Sequence, residues 1–270
     1  MKYIFANWKQ HFSYNETIQK FDQFMQGLNS LIDKKIIAVG IAVSYESLQK
    51  VAYKNTNSAL WIGAQSCSPF YQGSHTGEVS ARSLKEIGAK FVVIGHSERR
   101  LFLHETEEMI ALQMKSALAA GLLPILCVGE SLCDKNNNKS YEVLRRQIVS
   151  AFAEIDNKFN KKIIIAYEPQ YAIGTGILPK LHDIEKIMAS LQNLKNEASL
   201  NLHDTPLLYG GSVDEKNYES VLKTPFVQGL LIGAASLHLQ SFAKIVSGSQ
   251  FINKKYVSKI SKNYNVVENI

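Results

Sequence analysis

The chain has 270 residues, 46% of them hydrophobic and 20% charged, and a net charge of +6. That length suits one closed α/β barrel, commonly about 250 residues, and the composition excludes an intrinsically disordered chain. No apolar run approaches the roughly 18 residues that span a bilayer, and the opening MKYIFANWKQ lacks the apolar core of a secretion signal, so a cytoplasmic protein with no membrane partner is expected.

Eight short apolar or β-branched runs follow one another at intervals of roughly 30 residues. In chain order they are 3–6, 36–43, 60–64, 91–94, 123–128, 163–167, 207–209 and 229–232. Between them, stretches such as 16–28, 106–121, 141–155 and 183–198 carry apolar residues at i, i+3, i+4 and i+7, the period of a helix with one buried face. Strands that are continuously apolar rather than alternating fit a parallel sheet covered on both sides. Eight strand-then-helix units predict a closed (β/α)₈ TIM barrel over 1–248, with an open doubly wound sheet as the rival. No linker precedes Ser247, where SGSQ interrupts the last helical pattern. A basic and apolar tail of unknown role is expected over 249–270.

Half of the positive excess sits in that tail, in Lys254, Lys255, Lys259 and Lys262 against the single acid Glu268. The body keeps an ordinary surface, with no basic run interleaved with aromatics, so no nucleic-acid partner is expected. The cysteines Cys67, Cys127 and Cys133 are odd in number and form no C-x-x-C pair, which favours reduced thiols over disulfides or structural zinc.

Chemistry in such a barrel belongs to the loops after the strands. Asn7 and Lys9 follow the first strand, His96 and Glu98 the fourth, Glu168 the sixth, Gly210, Gly211 and Ser212 the seventh, and Gly233 and Ala234 the eighth. The two glycine turns at adjacent strand ends suit a phosphate, which backbone N–H groups and helix starts bind well. There is no Walker signature, no dinucleotide fingerprint and no metal-ligand spacing among the histidines, so a mechanism without metal or cofactor is expected. His96 precedes Ser97, a good N-cap, which would set the imidazole at a helix start that disfavours a positive ring.

The segments NWK (7–9), VIGHSERR (93–100), CVGE (127–130), AYEPQYAIGTG (166–176) and YGGSV (209–213) closely resemble the triosephosphate isomerase family in order and spacing, from about residue 2 to residue 247. The resemblance implies interconversion of dihydroxyacetone phosphate and D-glyceraldehyde 3-phosphate through an enediolate, in glycolysis and gluconeogenesis. It implies Glu168 as the base, His96 as the electrophile, Lys9 as the stabiliser of developing charge and Asn7 as the residue orienting the substrate oxygen. Backbone N–H groups of Gly174, Ser212, Gly233 and Ala234 would bind phosphate, with 169–179 closing as a lid. Glu98 and Arg99 resemble a structural pair near a subunit contact, and Cys127 a cysteine packed beside the base. Loop 65–80 resembles one that enters a second subunit, with Thr76 meeting the partner's residue matching Asn7, so a homodimer is implied.

Four departures qualify the resemblance. Tyr171 stands for the usual tryptophan at the first lid hinge, and Ala234 for a glycine. Pro179 removes the N–H that the family's counterpart of Tyr209 binds on closure, and the tail extends past the family's usual end. Two rival readings remain. A sugar-phosphate epimerase would lack its own acid and base set, and a non-catalytic barrel binding through its basic tail would have little reason to keep all four catalytic residues.

Overall fold

The computed structural model of the protein describes residues 1–56, 58–155, 162–173, 178–197, 200 and 202–252. Its strands are β1 (Lys2–Asn7), β2 (Ile37–Val43), β3 (Trp61–Ala64), β4 (Phe91–Ile94), β5 (Leu123–Val128), β6 (Ile164–Tyr167), β7 (Leu207–Tyr209) and β8 (Gly229–Ile232). Each pairs in parallel with the next, and β1 closes on β8 with Tyr3 opposite Gly229, giving the eight-stranded barrel expected from the sequence and ruling out the open sheet. Every residue of β2 is buried, the sign of a strand covered on both faces.

Outside the barrel lie α1 (Tyr14–Leu28), α2 (Tyr45–Lys54), α3 (Ala81–Glu86), α4 (Ser97–Phe102), α5 (Glu107–Ala119), α6 (Leu132–Asn136), α7 (Ser140–Ala151), α8 (Leu181–Lys195), α9 (Tyr218–Lys223) and α10 (Leu239–Phe251). The apolar stripe of α1 buries Phe21, Phe24 and Leu28, and Ser13 opens this helix by donating its N–H to Glu16. Two layers of core result. One fills the space between strands and helices, and the other fills the barrel interior with Phe5, Phe91, Val93, Ile125, Cys127, Ile164, Leu208 and Leu231 among others. Phe5 and Phe91 meet there with ring centroids 4.7 Å apart. Gly40 and Gly63 leave the room these rings occupy.

The last helix differs from the sequence expectation, because α10 runs through SGSQ instead of ending there. Tertiary contacts outweigh the weak local propensity of that stretch. Lys2 Nζ donates to the Ser249 and Ile252 carbonyls, Gln250 bonds both the Leu31 carbonyl and the Asp33 N–H, and Gly248 packs on the Tyr218 hydroxyl where a Cβ would clash. The remainder of the predicted tail, 253–270, lies outside the described residues. Among the described residues no helix is long and apolar enough to cross a membrane.

Candidate active site

The C-terminal mouth of the barrel holds a cavity of about 720 Å³ lined by Asn7, Lys9, His96, Glu98, Glu168 and the glycine turns after β7 and β8. Five strand ends contribute, as the sequence places them. Gly95, at φ +69°, turns the chain sharply from β4 into α4, a conformation open to glycine at little cost. His96 then stands at the helix start.

The N-cap of α4 is His96 itself, not Ser97, which corrects the expectation from sequence. The Glu98 N–H donates to His96 Nδ1 at 3.2 Å. With Nδ1 accepting this N–H, Nε2 is the ring nitrogen left to donate. That nitrogen faces the cavity, 3.4 Å from Glu168 Oε1. Ser97 serves the base instead, with its backbone N–H 3.3 Å from Glu168 Oε2.

Glu168 is 2% exposed, at the end of β6. Its N–H donates to the Val128 carbonyl at 2.8 Å, and the side chain passes over Gly210, where a Cβ would approach Glu168 Cγ to 2.8 Å. Gly129 leaves similar room for the Glu168 backbone. Cys127 packs beside the carboxylate within the barrel interior, and burial, then the charge of Glu168, push its thiol well above the ordinary range.

Lys9 has φ +49°, a costly backbone conformation for a side-chain-bearing residue and one that recurs at functional sites. Asn7 Oδ1 accepts the Lys9 N–H at 3.0 Å and Gln65 Nε2 donates to the Lys9 carbonyl at 2.7 Å, so both sides of the strained unit are held. Gln65 carries no motif signal, and sequence reasoning missed it. Lys9 Nζ meets Glu98 Oε1 at 2.6 Å. Arg99 pairs with a different acid, Glu105, at 2.7 Å, so Glu98 stands in the pocket and the two neighbours do not pair with each other.

The turns after β7 and β8 complete the pocket. Ser212 Oγ donates to the Ala172 carbonyl at 2.7 Å, joining the β7 turn to the segment after Glu168. Ser236 braces the 3₁₀ turn Ala234–Leu237 through the Gly233 carbonyl at 2.7 Å. Among the described residues the non-glycine residues with positive φ are Lys9, His104, Asn138 and Phe226. Ala234 is not among them, so its methyl adds no backbone strain. Gly174 lies outside the described residues. Thr76 is exposed and does not line this cavity, and Tyr209 is buried with a hydroxyl that has no hydrogen-bond partner among the described residues. His11 and His238 also line the cavity, unforeseen from sequence because neither lies in a recognisable motif.

A closed parallel barrel whose mouth joins a carboxylate, an imidazole, a lysine and two glycine turns defines a class: barrel enzymes that move protons on small phosphorylated substrates. The family profile described as triosephosphate isomerase matches residues 2–249. A triosephosphate isomerase of Thermodesulfovibrio yellowstonii is 36% identical over 246 residues, covering 91% of this chain and 98% of the relative. That of Protochlamydia amoebophila is 37% identical over 255 residues, covering 93% and 95%. The crystal structure of triosephosphate isomerase from Bartonella henselae superposes with a TM-score of 0.79 at 31% identity, over 90% of this chain and 97% of that one. The chain belongs to the triosephosphate isomerase family.

Proposed function

We propose that this chain interconverts dihydroxyacetone phosphate and D-glyceraldehyde 3-phosphate, with Glu168 as the base that moves the proton between the two carbons. The observation that carries the reading is the meeting of Glu168 Oε1 and His96 Nε2 at 3.4 Å in one cavity, with His96 Nδ1 accepting the Glu98 N–H. A proton α to a carbonyl leaves readily when the oxygen receiving its electrons is met by a donor in place. His96 Nε2–H is that donor, Lys9 offsets the negative charge that develops, and Asn7 orients the oxygen while holding the Lys9 backbone. The pairing of a glutamate base with a neutral histidine follows the established pattern of this enzyme.

Phosphate would sit against the N–H groups of Ser212, Gly233 and Ala234, joined by Gly174 as 169–179 closes. Closure excludes water, which protects an enediolate phosphate from losing its phosphate. The cycle is balanced within one substrate, so no cofactor or metal is needed. A homodimer is supported by exposed apolar side chains, Phe70 and Tyr71 in the loop after β3 and Leu101, Phe102 and Leu103 at the end of α4, of which Phe102 is 73% exposed. Thr76 would reach the partner's site from the same face. The compartment is read as the cytoplasm.

The test offers purified protein D-glyceraldehyde 3-phosphate and, separately, a pentulose 5-phosphate. Rapid formation of dihydroxyacetone phosphate with no epimerisation of the pentulose is the expected result. Epimerisation without triose turnover would replace this reading with the epimerase one, and binding of nucleic acid without either activity would favour the non-catalytic barrel.

A further inference from the structure

A chain of polar groups runs behind Glu168, outside the cavity. Lys135, on α6, donates to Tyr171 Oη at 3.0 Å and to Asp183 Oδ2 at 3.1 Å, and its ammonium lies 4.6 Å from the Tyr171 ring centroid. Four residues before Tyr171, the Tyr167 hydroxyl donates to Glu130 Oε1 at 3.0 Å. Lys135 thus links the first turn of α8 to the turn after Glu168, and the Glu130 carboxyl is itself buried. Burial pushes the Glu130 carboxyl above the usual carboxylate range, and the Tyr171 and Asp183 acceptors hold the Lys135 amine above its ordinary value.

The position of these groups in the chain matters more than their number. Tyr171 belongs to the 3₁₀ turn Gln170–Ala172, which begins two residues after Glu168. The same turn is fixed by Gln170, whose N–H donates to the Glu130 carbonyl at 3.1 Å and whose Nε2 donates to the Gly129 carbonyl at 3.0 Å. Ala172 accepts the Ser212 hydroxyl. One short turn therefore connects the base to a residue of the phosphate turn. Lys135 grips that turn at Tyr171 and also grips α8 at Asp183, so it spans the connection between them from a helix that belongs to neither.

We propose that Lys135 is a positioning residue for the isomerisation: by bonding Tyr171 and Asp183 together it clamps the turn after Glu168 against α8, and so sets where Glu168 and Ser212 stand. Tyrosine is required at 171 because its oxygen accepts from the ammonium while its ring lies within cation–π range, whereas a phenylalanine keeps only the ring. The clamp rests on the isomerase reading, since its purpose is placement of the base. Lys135 does not line the cavity and takes no part in the chemistry.

The experiment compares Lys135→Met, Tyr171→Phe, their double variant and Lys135→Arg with wild type, by steady-state kinetics and by hydrogen exchange of the backbone amides at 170–173. Lys135→Met should lower kcat/KM about tenfold, the size of one partly exposed charge-assisted hydrogen bond, with most of the loss in kcat. The double variant should be no worse than the worse single one, because both remove one coupled interaction. Lys135→Arg should recover most of the rate, and exchange at 170–173 should quicken in Lys135→Met and Tyr171→Phe. Losses that simply add, or a Lys135→Met variant with wild-type kcat/KM, would overturn the proposal. If the wild type turned over no triose phosphate, the exchange data would still decide whether the clamp exists: unchanged exchange in both single variants refutes it.

Discussion

Gly210→Ala tests how closely the base is held. In the native structure a Cβ at 210 would stand 2.8 Å from Glu168 Cγ, 3.3 Å from Oε1 and 3.5 Å from Cδ, so all three nearest atoms belong to the base. Ordinary carbon contacts begin at about 3.5–4.0 Å, so the Glu168 side chain must move by about 0.7–1.2 Å. Gly210 lies outside the left-handed region, so alanine brings no backbone strain of its own and narrows the unfolded ensemble. The added methyl therefore acts on catalysis rather than on folding. A displacement of about 1 Å at a reacting group costs on the order of 100-fold. We expect kcat to fall about 30- to 100-fold with KM little changed and the melting temperature lowered by less than about 5 °C. The assay is steady-state turnover of D-glyceraldehyde 3-phosphate beside thermal unfolding by circular dichroism. A companion variant sharpens it: in a Glu168→Asp background the shorter side chain escapes the new methyl, so Gly210→Ala should cost less there than in wild type. A Gly210→Ala enzyme with wild-type kcat would refute the view that the cavity floor fixes the base.

Lys195 is 3% exposed on α8, and burial lowers its amine from 10.5 to about 8. A lysine with a depressed folded value carries its full penalty below about pH 8 and is relieved as pH rises toward 10.5, so Lys195→Met should stabilise the protein by about 1–3 kcal/mol at pH 7 and by progressively less above pH 8. Denaturant unfolding at pH 7 and pH 10 measures this, and a stability gain that grows with pH would contradict it. Tyr209→Phe should change kcat by less than about twofold in wild type but by about tenfold in a Pro179→Ala background, where an N–H for the hydroxyl is restored. A large loss already in wild type would show that the tyrosine works through another partner. Ending the chain after Gly248 removes the Gln250 bridges and the carbonyls bound by Lys2, and should lower the melting temperature by about 5–10 °C. Ending it after Ile252 should spare it; equal effects of the two truncations would mean that the α10 contacts are not the anchor.

The barrel was legible in the sequence because parallel strands buried on both faces leave uninterrupted apolar runs, and eight of them at regular spacing admit few other closures. The cavity at the barrel mouth was legible because barrel chemistry collects at strand ends, where Asn7, Lys9, His96 and Glu168 stand out as polar residues following apolar runs. Capping was misjudged between neighbours: Ser97 is the better N-cap by type, but the turn at Gly95 carries His96 into that position. The helix through SGSQ was hidden because its anchors, Lys2, Leu31 and Asp33, lie more than 200 residues away in sequence. Gln65 and Lys135 were equally invisible, since each acts through partners on other elements. Gly210 was read as a phosphate turn, and only the three-dimensional packing shows that it also makes room for the base.

The most direct measurement of the central claim is kcat for wild type and for Glu168→Asp on D-glyceraldehyde 3-phosphate, with melting temperatures taken alongside. The substitution keeps the carboxylate and withdraws it by one methylene, so a base that must stand against His96 and the substrate carbon loses its reach. A fast wild type with Glu168→Asp slowed by about 100-fold or more, at an unchanged melting temperature, is the predicted result. A Glu168→Asp enzyme within a few-fold of wild type, or a wild type no faster than buffer, would contradict the assignment of Glu168 as the proton-transferring base.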